Sequence, residues 1–227
     1  MGVCAPTHSP IVCMMEYTLG QIQSELQKRL PYRYRWGQKQ NDIWDAHTAF
    51  IYEILRWETL LERMQQVIVA ENLDKGKLFD YAANRWFNFW SAVGVEQIFA
   101  QKEGVKKVSD RRDSEKDFYI QNIPFDHKTS VFPKMFPQDL QYAKQHKKEL
   151  LYWLYKHQSA QKRFHLKNRL FVVVHAKDGA HWRLKANLLG FNKEISKYIH
   201  NFSQAQLQTL TFANDETALS DIIWVHE

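Results

Sequence analysis

One run constrains the fold more than any other: Leu170-Phe171-Val172-Val173-Val174 leading into His175. Apolar, largely β-branched residues follow one another with no polar alternation. That pattern reads as a strand buried on both faces, which needs cover on both sides. The rest of the chain supplies helices to provide it. Leu19, Ile22, Leu26 and Leu30 fall at helical spacing over residues 16–30, and Pro31 stops that helix. A basic, aromatic connector spans 31–40. Ile43, His47, Phe50, Ile54, Trp57, Leu61, Met64 and Ile68 then predict one long helix over 42–70, capped by Asn41 or Asp42. After the Asp74-Lys75-Gly76 turn, a second long helix is expected over 78–101, with Gly104 beyond it as a C-cap. Short strand-like segments follow at 105–109, 117–121 and 123–131. Residues 139–160 return to a helical pattern, and 181–186 reads as a strand. Helices are expected over 187–202 and 203–210, and a last strand at Ile222-Ile223-Trp224-Val225. The fold class is α/β: a helical N-terminal region (16–75) ahead of a small α/β domain (76–227).

Composition narrows the setting. The 227 residues carry 31 Lys plus Arg against 25 Asp plus Glu, a net charge of +6. Fourteen Phe, ten Tyr and eight Trp sit on this basic chain, which points toward a polyanionic partner. No stretch approaches the roughly 20 uninterrupted apolar residues of a membrane span. The two cysteines, Cys4 and Cys13, build neither a disulfide framework nor a zinc site, and free thiols fit a cytoplasmic location. Residues 1–15 read as a disordered tail with no signal-peptide pattern, and Met14-Met15 is the expected true start.

The segment Asp117-Phe-Tyr-Ile-Gln-Asn-Ile-Pro-Phe-Asp126-His-Lys128 carries the chemistry. With Gln121-Asn122 as a two-residue hairpin loop, 120 pairs with 123, 119 with 124 and 118 with 125. Asp117 is then expected directly opposite Asp126. Alternation sets Lys128 on the Asp126 face. Two adjacent carboxylates repel unless they share a cation, and a hard divalent ion suits them. A neighbouring ammonium would orient the attacking water and stabilise developing charge.

These residues resemble the PD-(D/E)XK phosphodiesterase superfamily, the restriction-endonuclease-like nucleases. Asp117 matches the first acid and Asp126-His127-Lys128 the acid-x-Lys tripeptide. Glu96 matches the acid of the preceding helix. The resemblance spans roughly residues 85–176. Lys116 stands where a small or proline residue is usual, Asp110 and Asp113 rival Asp117, and Glu103 rivals Glu96. Gln138 and Tyr142 have the Gln-x-x-x-Tyr spacing of the RecB-like branches. The resemblance implies an αβββαβ core and Mg²⁺-dependent hydrolysis of DNA, with Mn²⁺ able to substitute, in a restriction or defence endonuclease. It implies Asp117, Asp126 and Glu96 as metal ligands and Lys128 as the residue that positions water. The alternative is a catalytically silent nucleic-acid-binding or assembly subunit on the same scaffold, as a homodimer or with a partner subunit.

The positive charge is concentrated. Residues 139–169 hold eight basic residues against two acidic ones, equal to the whole excess. Lys144, Lys147 and Lys148 there, and Arg33 and Arg35 among Tyr32, Tyr34 and Trp36 of the connector, are the candidates for nucleic-acid contact. Trp86, Phe87, Phe89 and Trp90 read as core. His175, Asp178 and His181 read as the end of a hairpin rather than as metal ligands.

Overall fold

A long apolar strand is stable only where other backbone satisfies its ladder and side chains cover both its faces. The computed structural model, which describes residues 17–108, 116–157 and 167–226, meets that demand with a six-stranded mixed sheet. The chain divides into two units, residues 1–94 with 186–188, and residues 95–185 with 189–227. The 1–15 tail with its cysteines lies outside the described residues, as do Asp110, Asp113, Lys162 and Arg163.

In the first unit, α1 (Leu19–Lys28) opens on a capping box between Thr18 and Gln21. It ends at Arg29, whose fully buried guanidinium donates to the carbonyls of Tyr32 (2.8 Å) and Arg33 (2.7 Å) and to Asn84 Oδ1 (2.7 Å). Asn84 in turn donates from Nδ2 to the Arg35 carbonyl at 2.5 Å. Buried polar groups therefore shape the connector. Tyr34 exchanges hydrogen bonds with Asn88, and Tyr32 packs on Trp57 and Phe79.

The single helix expected over 42–70 is broken. α2 (Asp42–His47) is followed by a 3₁₀ turn over Ala49–Tyr52, and α3 runs over Trp57–Glu71. The apolar spacing persists across the break, so periodicity alone does not reveal it. The cause lies in α4 (Lys75–Ala100). Trp86 Nε1 donates to the Ile54 carbonyl at 2.8 Å, and Trp90 Nε1 to the Ile51 and Ile54 carbonyls at 3.0 and 3.1 Å. Arg85 donates to the Asp45 carbonyl and the Thr48 hydroxyl. Carbonyls released by the break thus find donors on the neighbouring helix. Trp86, Phe87 and Trp90 are fully buried, as core residues should be.

In the second unit the strands are β1 (Val105–Lys107), β2 (Phe118–Ile120), β3 (Ile123–Val131), β4 (Arg169–His175), β5 (Gln208–Thr211) and β6 (Thr217–His226). Their order across the sheet is β1-β2-β3-β4-β6-β5. β1, β2 and β3 form an antiparallel meander; β3, β4 and β6 run parallel; β5 is antiparallel on the edge. β4 lies inside the sheet, with Leu170 through Val174 fully buried. Helices α5 (Leu140–Gln145) and α6 (Lys147–His157) connect β3 to β4. Leu150, Leu151, Leu154 and Tyr155 of α6 share a core with Phe171, Val173 and Ile222.

Several local expectations change. The helix expected over 139–160 divides at His146. Asp139 caps its start by accepting the Tyr142 N–H at 2.8 Å, so Gln138 precedes the helix and shares no helical face with Tyr142. Residues 181–186 form a 3₁₀ helix rather than a strand. After α7 (Leu188–His200), residues 204–206 form a 3₁₀ turn and 208–211 become β5, because pairing with β6 outweighs local pattern. Among the described residues no helix is long and apolar enough to cross a membrane.

β5 reaches only to Ser220 in the ladder, and the next residue, Asp221, is 2 % exposed. Its carboxylate accepts from Lys147 Nζ (2.6 Å), Tyr198 OH (3.2 Å) and the Ile222 N–H (2.8 Å). Burial and the Asp221 charge push the Tyr198 phenol far up. A buried charge left without its partner costs about 3–5 kcal/mol. Lys147→Met and Asp221→Asn should each lower stability by about that order in urea denaturation, with the double variant less impaired than the sum. Additive losses would show that the pair does not act as a unit.

Candidate functional site

The hairpin forms with the expected register. Phe118 faces Phe125, Tyr119 faces Pro124 and Ile120 faces Ile123, with Gln121 and Asn122 as the two loop residues. Both take positive φ, 47° and 67°, as a two-residue turn matched to strand twist requires. Pro124 carries no N–H, and Asn122 tolerates the left-handed region.

Just before β2 the geometry departs from simple alternation. The Asp117 N–H donates to the Phe125 carbonyl at 2.8 Å, although the ladder sets Phe118 opposite Phe125. Two successive residues thus address one residue of β3, a bulge that re-aims a side chain. Asp117 therefore does not stand directly opposite Asp126. Its Oδ2 accepts from the His127 backbone N–H (2.8 Å) and lies 2.7 Å from His127 Nδ1. The His127 ring is in turn packed against Phe99 of α4 and Phe118. Burial alone would push the Asp117 carboxyl up. The His127 ring, the His127 backbone N–H and the Lys128 ammonium outweigh it and hold the group below its ordinary value.

Asp126 opens the parallel pairing of β3 with β4, opposite Arg169. Its Oδ2 accepts from Arg169 Nε at 2.6 Å. The guanidinium carbon lies 5.3 Å from the Tyr155 ring centre and 5.8 Å from that of Phe171. Tyr155 donates to the Lys167 carbonyl at 2.6 Å, and burial pushes its phenol up to about 12. Ser220 fixes the Arg169 carbonyl at 2.7 Å. Side chains from α6, β4 and β6 thus hold the partner of Asp126. Among the described residues, the hydrogen bonds to Asp117 and to Asp126 all fall on Oδ2.

Lys128 is exposed on β3 and makes no ion pair among the described residues, yet its charge acts on Asp117. Glu96, on α4, is bound by Lys107 of β1 at 2.8 Å. Lys107 faces Phe118 in the ladder, one residue from Asp117. No hydrogen bond or ion pair among the described residues joins Glu96 to Asp117 or Asp126. His127 alternates with Asp126 and Lys128 along β3, so the Asp117 carboxylate is bound by a ring on the α4 side. Asp126 instead turns with Lys128 to the side of Arg169, Tyr155 and Phe171, and Glu96 is held with β1. Among the described residues, no group of three or more His, Cys, Asp and Glu side chains is arranged to hold a metal ion.

Of the basic candidates, Arg33 is exposed. Arg35 pairs through Nε with Asp80 Oδ2 at 2.5 Å while its side chain stays 65 % exposed. Lys144 lies over the Trp224 ring, Lys148 is exposed, and Lys147 is engaged by Asp221. His127, Arg169 and Lys107, the partners of the three acids, are not singled out by the sequence. Arg169 had one usable signal: it opens the buried β4 run, where a charge needs a partner.

Because the folded Asp117 carboxyl lies below its unfolded value, the stabilisation it gives is complete above about pH 4 and is lost as pH falls through the folded value. Urea denaturation between about pH 6 and pH 3 should show a shallower acid loss for Asp117→Asn than for wild type. Parallel curves would show that the carboxyl is not held down. In comparisons with known proteins, the chain matches no family model, no curated protein and no solved structure.

Proposed function

We propose that the chain is a metal-dependent nuclease of the PD-(D/E)XK type that hydrolyses phosphodiester bonds in DNA. The observation that carries this reading is the hairpin itself. Asp117 leads into one strand, Asp126 and Lys128 lie on the next, and the exposed Lys128 ammonium helps hold the Asp117 carboxyl below its ordinary value. The element order supports it: α4, the three-strand meander, α5 and α6, then β4 parallel to β3. Hard carboxylate oxygens are what a Mg²⁺ or Mn²⁺ ion takes, and Asp117 and Asp126 each have one oxygen outside the hydrogen bonds described. Asp117 and Asp126 would hold the ion, with Glu96 reaching it directly or through water. When bound, it would supply Lewis-acid activation of water and neutralise charge on the phosphate. Lys128 would orient the attacking water. His127 and Arg169 fix the two acids. Arg33, Arg35, Lys144 and Lys148 would meet the DNA backbone.

A second reading has its own support. Each of the three acids already has a basic side chain as partner: Asp117 with His127, Asp126 with Arg169, Glu96 with Lys107. Acids already engaged by partners within the chain suit a silent binding or assembly subunit, alone, as a homodimer or beside a catalytic partner. The purified chain, given supercoiled plasmid with Mg²⁺ or Mn²⁺, should nick or linearise it. Lys128→Ala should lower the rate at least about a hundredfold while DNA retention in gel shift persists. DNA binding without cutting under either metal would establish the second reading and sink the first.

A further inference from the structure

We propose that the carboxyl end of the parallel strands β4 and β6 is a binding site for a phosphate group, separate from the hairpin acids. The ladder pairs Val173 with Trp224 and His175 with His226, so these four side chains lie on one face of the sheet. It is the face that α6 covers, since Val173 belongs to the α6 core and Trp224 packs against it. At the strand ends the face turns basic. Lys144 of α5 lies over the Trp224 ring at 5.9 Å, and its charge acts on His175. His181, at the start of the 3₁₀ helix after β4, brings its ring centre within 4.7 Å of that of His175. Phe132 stands edge-on to His175 at 5.5 Å, and Lys134 follows it in the chain.

His181 Nδ1 accepts the Ala176 N–H at 2.9 Å, so the neutral ring carries its hydrogen on Nε2. Among the described residues, Lys134, Lys144, His175 and His226 have no acidic partner at ion-pair distance, in contrast to Lys147, Arg169 and Lys107. The nearby acid, Asp178, accepts the Ala180 N–H and acts on His181. Burial, then the charges of His181, His226 and Lys144, hold the His175 ring below its ordinary value; burial and the Lys134 charge do the same for His181. Two lysines without acidic partners among the described residues, beside half-buried imidazoles that gain charge when an anion arrives, suit a compact, multiply charged anion. Six residue steps along β4, roughly 20 Å, separate this end from the Asp126–Arg169 pair. Phosphate on a nucleic-acid backbone and phosphate on a free small molecule present the same chemistry here.

Binding can be measured in EDTA, where no cleavage occurs, so its outcome is independent of nuclease activity. The Cε1–H resonances of His175, His181 and His226 should shift when the wild-type chain is titrated with inorganic phosphate or with a short DNA duplex. The bound anion should raise the apparent pKa of His175 and His181, and affinity should increase as pH falls below about 7. Lys144→Gln with His175→Gln should weaken binding roughly tenfold or more, while Lys193→Gln, an exposed lysine on α7, should leave it unchanged. Response to phosphate alone assigns a free phosphate ligand; response to duplex alone assigns the nucleic-acid backbone. Histidine resonances indifferent to both, or equal weakening by Lys193→Gln, would overturn the site. The wild-type titration decides this even where the double variant does not fold.

Discussion

The ladder through β4 governs the second unit. A strand with five fully buried residues in succession can be neither an edge nor a surface element. It therefore fixes β3 on one side and β6 on the other. Parallel neighbours demand long returns, which α5–α6 and α7 supply. The same demand drives charged groups to the strand ends. Arg169 opens β4 and His175 closes it, so the middle of the sheet is apolar and its two ends are polar.

Because that middle is closed, carboxylates gather at its ends, where half-buried Asp126 and Asp117 and buried Asp221 each meet donors from neighbouring elements. Asp126 meets Arg169, Asp117 meets His127, and Asp221 meets Lys147 from α6 and Tyr198 from α7. The last group matters for interpreting charge. Lys147 belongs to the segment that accounts for the excess positive charge, yet it serves the interior. Lys128 is the reverse case, a lysine on a central hairpin that stays exposed.

What could be read from sequence follows from how local each cause is. The hairpin register was legible because Gln121-Asn122 and the alternation of 117–128 are local signals. The buried β4 run was legible because composition alone gives it away. The offset at Asp117 was not, since it depends on which donor reaches the Phe125 carbonyl. Nor were the partners of the acids, which come from residues as far as 74 positions away. The strand at 208–211 was hidden because its partner β6 decides its conformation. The divided helix at 42–70 was hidden because the apolar spacing runs through the break without a gap.

That break has a consequence for the helical unit. The carbonyls of Ile51 and Ile54 are satisfied by indoles that lie more than thirty residues further on. The kinked path is therefore not stored in the segment that follows it. A peptide of residues 42–71 without α4 has no such donors and leaves those carbonyls to water. The bend at 49–56 is thus specified by the tryptophans of α4 and not by the segment that bends.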